Sequence, residues 1–313
     1  MIPFAEAQRR SLKSPFFAAL IANVIWGASF LASKLTLLAW KPMTASALRF
    51  AIASLAIFIG LRFSKRPIQA PRSLGDWRLV VATSTVGFGF LYPLQLMGLK
   101  YISSGLSSAV MLLAPLMVVA LSARIFNEVL DQSKVLALGL GVFGGLILLG
   151  LHNGFMESAE VSLYLGVDLT LAASICLALS VVFTKKLGGR IDSGSLTFWS
   201  MMIGFVELCL MAVAFEEPSL VSAFDLGHLT SWIALAFLGI VCSALCFFLW
   251  NWAVTSSSSK DIASTMHIKT PTAVVLGVLV AGEPLTPSIV LGALVVSAGV
   301  WLSQRPSRRG VYP

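Results

Sequence analysis

Charge is what this chain has least of. Asp, Glu, Lys and Arg make up 12% of its 313 residues, against about a quarter in an ordinary soluble domain. That is too little to cover a water-facing surface of this size, which excludes a large soluble globule. Histidine and cysteine are scarce as well. The three histidines (His152, His228, His267) form no His-Glu-x-x-His pattern, which removes that class of zinc protease. The four cysteines (Cys176, Cys209, Cys242, Cys246) fall inside apolar runs without Cys-x-x-Cys spacing and read as small packing residues. Gly87-Phe88-Gly89 has no aspartate behind it and does not suggest an aspartyl site. There is no Gly-x-x-x-x-Gly-Lys-Ser/Thr loop, and the connections are too short for an ATPase domain. Neither a metal nor a cofactor is implied.

Apolar residues fill the space that charge leaves. They account for 57% of the chain, with a mean hydropathy of +0.89. A spanning helix needs roughly 20 mostly apolar residues to cross a hydrocarbon core about 30 Å thick. Runs of that kind lie at 16–38, 43–63, 79–99, 104–126, 135–151, 163–185, 194–215, 231–253, 262–282 and 288–304. The predicted fold is therefore an all-α membrane protein of ten transmembrane helices. The basic N-terminus (Arg9, Arg10, Lys13) resembles a signal peptide, but the apolar stretch behind it is too long and has no small-residue cleavage pattern.

The net charge of +8 follows topology and gives no sign of nucleic-acid binding. With the N-terminus in the cytoplasm, the inner segments hold most of the 22 lysines and arginines, and the outer face has only Lys41 and Lys100. The outer loops at 152–162 and 216–230 carry acidic residues alone. This positive-inside asymmetry predicts an even number of spans in the inner (cytoplasmic) membrane, with 1–15 and 305–313 as cytoplasmic tails.

The halves 16–151 and 163–304 echo one another. Gly98-Leu99-Lys100-Tyr101-Ile102-Ser103-Ser104 leads into a span with Pro115, ending near Glu128. Val254-Thr255-Ser256-Ser257 leads into a span with Pro271, ending near Glu283. Five spans per half is odd, so the second half enters from the opposite side. Inverted repeats of this kind recur in secondary transporters, where the halves rock about a midplane site.

Trp26-Gly27-Ala28-Ser29-Phe30-Leu31-Ala32-Ser33-Lys34, Arg49-Phe50, the Gly98–Gly105 segment, the two proline-then-glutamate patterns and Leu291-Gly292-Ala293 with Gly299-Val300 resemble, in order and spacing, the EamA family of the drug/metabolite transporter superfamily. The resemblance covers about residues 17–303 and implies a ten-helix inverted-repeat fold that moves small metabolites, often exporting amino acids or related compounds. Two places depart from the family pattern. Leu179-Ser180 stands where the sixth span often has a tryptophan, and His267 and Lys269 stand where the ninth is usually apolar.

Ionisable groups inside a bilayer are costly and usually face the bundle interior or a wet cavity. The candidates are Lys34, Arg49, Asp168, Glu207, His267 and Lys269. Trp26, Phe30 and Lys34 recur at i, i+4 and i+8 and share one helix face, suited to gripping an amphipathic solute. Packing, with Lys34 snorkelling outward, is the alternative. Snorkelling is equally open to Arg49, and Asp168 reads as interfacial. Tyr92-Pro93 supplies a kink and a hydroxyl. Lys269 either meets a solute carboxylate or pairs with an acid such as Glu207. His267 lies about 200° round the helix from it, and hydrogen-bonded packing is its competing role. The solute-binding set is thus Trp26, Phe30, Lys34, Arg49, Tyr92, His267 and Lys269, with helix breaks at Pro115 and Pro271. Glu207 is the candidate for proton coupling: burial favours its neutral acid, a nearby cation its carboxylate. Glu128 and Glu283 suit capping or gating salt links. Gly141 and Gly145 have the spacing of a helix-dimer motif, which leaves a homodimer open beside internal packing.

The reading that accommodates all of this is a secondary transporter moving a small organic metabolite by alternating access, with the bilayer and the solute as partners and protons as a candidate coupling ion. An intramembrane enzyme or a non-transporting sensor or partner subunit is the alternative. The first lacks a recognisable site, the second a soluble domain or long tail.

Overall fold

The computed structural model describes residues 3–65, 67–126, 132–148, 160–188, 190–216, 228–256, 265 and 268–304. Among them every regular element is a helix. In chain order these are α1 (Pro3–Thr36), α2 (Pro42–Phe63), α3 (Leu74–Leu99), α4 (Ser104–Phe126), α5 (Gln132–Leu148), α6 (Glu160–Leu187), α7 (Ser193–Phe215), α8 (Leu229–Ala236, Phe237–Leu245 and Cys246–Ser256 in succession), α9 (Lys269–Ala281) and α10 (Pro287–Ser303). Seven are long and apolar enough to cross a membrane; α5, α9 and α10 are apolar but shorter. The protein is a multi-pass membrane protein. The apolar part of α1 is Pro15–Thr36, and its helix starts earlier, at Pro3, inside the stretch expected as a tail.

Local sequence explains most of the boundaries. Pro42 and Pro287 open α2 and α10, where a missing N–H costs nothing. Ser73, Ser103, Asp192 and Thr286 cap α3, α4, α7 and α10 with side-chain oxygens. Gly282 ends α9 in the left-handed region at φ 63°, which costs glycine nothing. α4 is interrupted at Leu112-Leu113, directly before Pro115, and the described part of α9 begins at Lys269, two residues before Pro271.

Two helices widen in mid-course. In α3 the stretch Thr85–Phe90 is π-helical, and the Leu91 amide reaches back five residues to Val86. Pro93 follows closely, and its missing N–H would leave the Gly89 carbonyl without an α-helical partner. In α8 the π-helical stretch is Phe237–Leu245. Such stretches are rare and gather at functional sites.

Helix contacts cross between the first five helices and the last five. α2 packs on α7, α4 on α9, α5 on α10, α1 on α8 and α3 on α6. Exchange each helix for the one five places away and this list maps onto itself. Small residues permit the close crossings. A methyl at Gly27 would lie 2.5 Å from the Lys269 carbonyl oxygen and 2.6 Å from Thr272 Cβ, so α1 and α9 touch backbone to backbone. A methyl at Gly144 would lie 2.7 Å from Val296 Cγ2, and this glycine seats α5 on α10. Gly141 abuts Leu116 of α4, a contact within the molecule.

Candidate functional site

The residues with most chemistry gather where α1, α2, α3, α8 and α9 meet. Arg49 of α2 is 4% exposed, so it is buried and does not snorkel. Its Nε donates to Ser243 Oγ at 3.1 Å. Its guanidinium lies 4.4 Å from the centroid of the Tyr92 ring and 5.5 Å from that of Phe50. Flat cations and aromatic faces attract, more so away from water. Across the junction Lys269 Nζ sits 5.2 Å from the Phe30 ring centroid. Tyr92 packs against both apolar clusters, the one around Phe30 and the one around Phe50 and Phe88, and so joins the two cations' surroundings. Among the described residues neither Arg49 nor Lys269 forms an ion pair.

The widened turn of α8 supplies the polar contacts. The Cys246 amide bonds to the carbonyls of Val241 and Ser243 and passes over Cys242. The Cys242 carbonyl instead accepts the Trp26 indole N–H at 2.9 Å. Trp26 also lies edge-on to Phe247 and against Trp250, with centroids 5.6 and 5.4 Å away. Trp26 and Arg49 thus grip consecutive residues of one π-helical stretch.

The widened turn of α3 holds a carboxyl. Glu207 of α7 puts Oε1 2.5 Å from Thr85 Oγ1, which is also 2.9 Å from the Val81 carbonyl oxygen. Its Oε2 is buried with no hydrogen-bond partner among the described residues. It points at Gly89, where a methyl would come within 2.6 Å of it. Gly87 meets Ser180 of α6 so closely that a methyl at Gly87 would collide with the serine side chain.

A separate knot closes one end of the bundle. Lys34 Nζ pairs with Glu283 Oε1 at 2.7 Å. The two Glu283 oxygens accept the Ser104 amide at 3.0 and 2.9 Å, and Oε2 accepts the Ser104 hydroxyl at 2.6 Å. Glu283 therefore caps the start of α4 and ties it to α1 and α9. Burial alone would raise the Glu283 pKa, but the hydrogen bonds from Lys34 and Ser104 outweigh it and hold the carboxyl below its usual range.

The EamA-like transporter family pattern matches twice, over residues 13–150 and 164–304. The chain belongs to the EamA-like transporter family. It is 24% identical over 282 residues to the uncharacterized transporter YoaV of Bacillus subtilis, covering 90% of this chain and 93% of that protein. It is 25% identical over 294 residues to a probable amino-acid metabolite efflux pump of Salmonella typhimurium, covering 92% and 93%. A probable terminal-alkyne amino-acid exporter of Streptantibioticus cattleyicolor is 23% identical, covering 94% of each chain. A solved structure described only as the crystal structure of a protein shares the fold at a TM-score of 0.66 and 19% identity, over 93% of this chain and 98% of its own. The relatives are named as transporters and pumps, and this chain is a membrane transporter, not an enzyme.

Of the residues singled out in the sequence of this EamA member, the structure brings together Phe30, Arg49, Tyr92 and Lys269, with Trp26 joined through α8. Lys34 is elsewhere, engaged by Glu283 at the end of the bundle. Glu207 meets Thr85 and not Lys269. Asp168 is exposed. His267 and Glu128 lie outside the described residues. Ser243, Thr85 and Ser104 escaped the sequence reading, because a serine or threonine in an apolar run looks like packing until its distant partner is known. Gly87 and Gly89 beside Thr85 were the available hint of a close approach.

Proposed function

We propose that this protein is a secondary transporter whose solute is a small organic anion or zwitterion of the amino-acid kind, moved outward across the cytoplasmic membrane by alternating access. The observation that carries this reading is the pair of cations, Arg49 buried in the bundle and Lys269 half-buried beside Phe30, with no carboxylate partner among the described residues. Charge in so poor a solvent demands an opposite charge, and a solute carboxylate meets that demand. The aromatic faces of Phe30, Tyr92 and Trp26 suit the apolar part of such a solute. Relatives named as amino-acid metabolite efflux pumps support both the class and the direction. The exchangeable contact pattern supports two inverted five-helix halves, and the concentration of lysine and arginine on one face supports cytoplasmic termini.

The test is reconstitution. Purified protein in liposomes is screened against amino acids and organic anions, with and without an imposed pH gradient. Accumulation of anionic or zwitterionic solutes above empty liposomes is expected. A folded protein that moves none of them, or moves only cations, sinks the reading.

A further inference from the structure

Thr85 has one hydroxyl proton and two oxygen neighbours. Its Oγ1 lies 2.9 Å from the Val81 carbonyl, which only accepts, and 2.5 Å from Glu207 Oε1. If Glu207 were ionised, both neighbours would be acceptors and one contact would lack a hydrogen. If Glu207 is the acid, every hydrogen is placed: Glu207 donates to Thr85, and Thr85 donates to Val81. The second carboxyl oxygen points the same way. Oε2 is buried against Gly89 without a donor. A neutral carbonyl oxygen tolerates that far better than half of a carboxylate.

We propose that Glu207, Thr85 and the Val81 carbonyl form a proton-binding site, loaded in this conformation, whose unloading parts α3 from α7. Removing the proton leaves an ionised oxygen facing Gly89 with no donor and takes Thr85 away from Val81. Relief requires α3 to withdraw so that water reaches the carboxylate. Thr85 and Gly89 lie in the same widened turn as Phe88, and Tyr92 follows on the same helix and faces Arg49. The proton is thereby coupled mechanically to the aromatic wall beside the candidate solute site, a coupling that rests on the transporter reading above.

The charged and titratable neighbours do not replace the proton. The helices packed on α7 are α2, α3 and α8. At mid-span they present Arg49 from α2, Tyr92 from α3, and Cys242 and Cys246 from α8, with Cys209 on α7 itself. Arg49 is held by Ser243 and the Tyr92 ring. Among the described residues none forms an ion pair with Glu207.

The experiment is infrared difference spectroscopy on the whole protein in lipid at pH 7. Wild type minus E207Q is expected to show the carbonyl band of a neutral carboxylic acid, and T85V is expected to shift that band as its hydrogen bond is lost. A carboxylate signal in the difference spectrum, or a band that T85V leaves in place, overturns the proposal. Should E207Q fail to fold, the T85V comparison alone decides. The coupling is read separately in vesicles with an internal pH dye, given a mixture of the twenty common amino acids. Proton movement on addition that is lost in E207Q supports it. Proton movement undiminished in E207Q overturns it, while amino-acid uptake measured in the same vesicles reports on the transporter reading by itself.

Discussion

At the scale of single residues, the candidate solute site depends on two cations that differ in kind. Arg49 presents a flat fork, hydrogen-bonded through Nε to Ser243 and stacked toward Tyr92. Lysine would keep the charge and lose both the fork and the stacking. Arg49→Lys should therefore raise KM markedly while the protein still folds, as checked by initial rates and gel filtration. Lys269→Ala removes one charge from a half-buried position beside Phe30. Losing a desolvated charge contact costs about 2 kcal/mol or more, roughly thirtyfold in affinity. Direct binding measurements with the solutes found in liposomes should show that loss, and an unchanged affinity would remove Lys269 from the site. Both cations are legible in the sequence, because charge within an apolar run needs a reason. Their surroundings are not. That Lys34 and Lys269, both inside predicted spans, have different partners depends on which helix faces which, and no local pattern encodes that.

At the scale of elements, Glu283 shows how a single side chain sets a helix end. It caps α4 through Ser104 and pairs with Lys34, and the left-handed turn at Gly282 aims it. Glutamine keeps one oxygen to accept from Ser104 but gives up the charge that strengthens those bonds and the ion pair with a part-exposed lysine, together about 1 kcal/mol. For a chain of 313 residues that is about 1–2 °C in Tm. Glu283→Gln should show such a fall at pH 7 by thermal unfolding in detergent. The sign with pH follows from the depressed pKa of Glu283. The stabilisation is complete above about pH 4.3, the ordinary value for glutamate, and is lost as the pH falls through the lower folded value. The gap between wild type and Glu283→Gln should thus close in acid, and a gap constant with pH would show that the carboxylate is not what stabilises. Helix crossings give a second test. Gly27→Leu drives a side chain into the Lys269 backbone, and overpacking of this sort costs about 1–3 kcal/mol, read as a lower Tm. The apolar runs and their order were readable from the sequence, as was the interruption of α4 before Pro115. The π-helical stretches were not. Pro93 hints at the one in α3, but α8 widens over Phe237–Leu245 with no proline in the stretch, and its consequence, a carbonyl offered to Trp26, appears only in three dimensions.

At the scale of the whole molecule, the knot of Lys34, Glu283 and Ser104 bears on how the halves move. It joins α1 and α4 from the first half to the end of α9 in the second. In the orientation proposed above, this end faces away from the cytoplasm. In the proposed alternating-access cycle a solute leaving on that side passes between the halves, so the knot must open in every cycle if it closes the path. A tether that the protein cannot break should then stop transport without unfolding the chain. The four cysteines are free, and each can be replaced by alanine or serine to give a background without thiols. Cysteines placed at 34 and 283 and joined by a short bifunctional thiol reagent should abolish liposome transport, and a reducible linker should restore it when cleaved. The same pair left unlinked controls for the loss of the ion pair itself. If the linked protein transports at the unlinked rate, the Lys34–Glu283 contact is a fixed joint, and the halves part elsewhere.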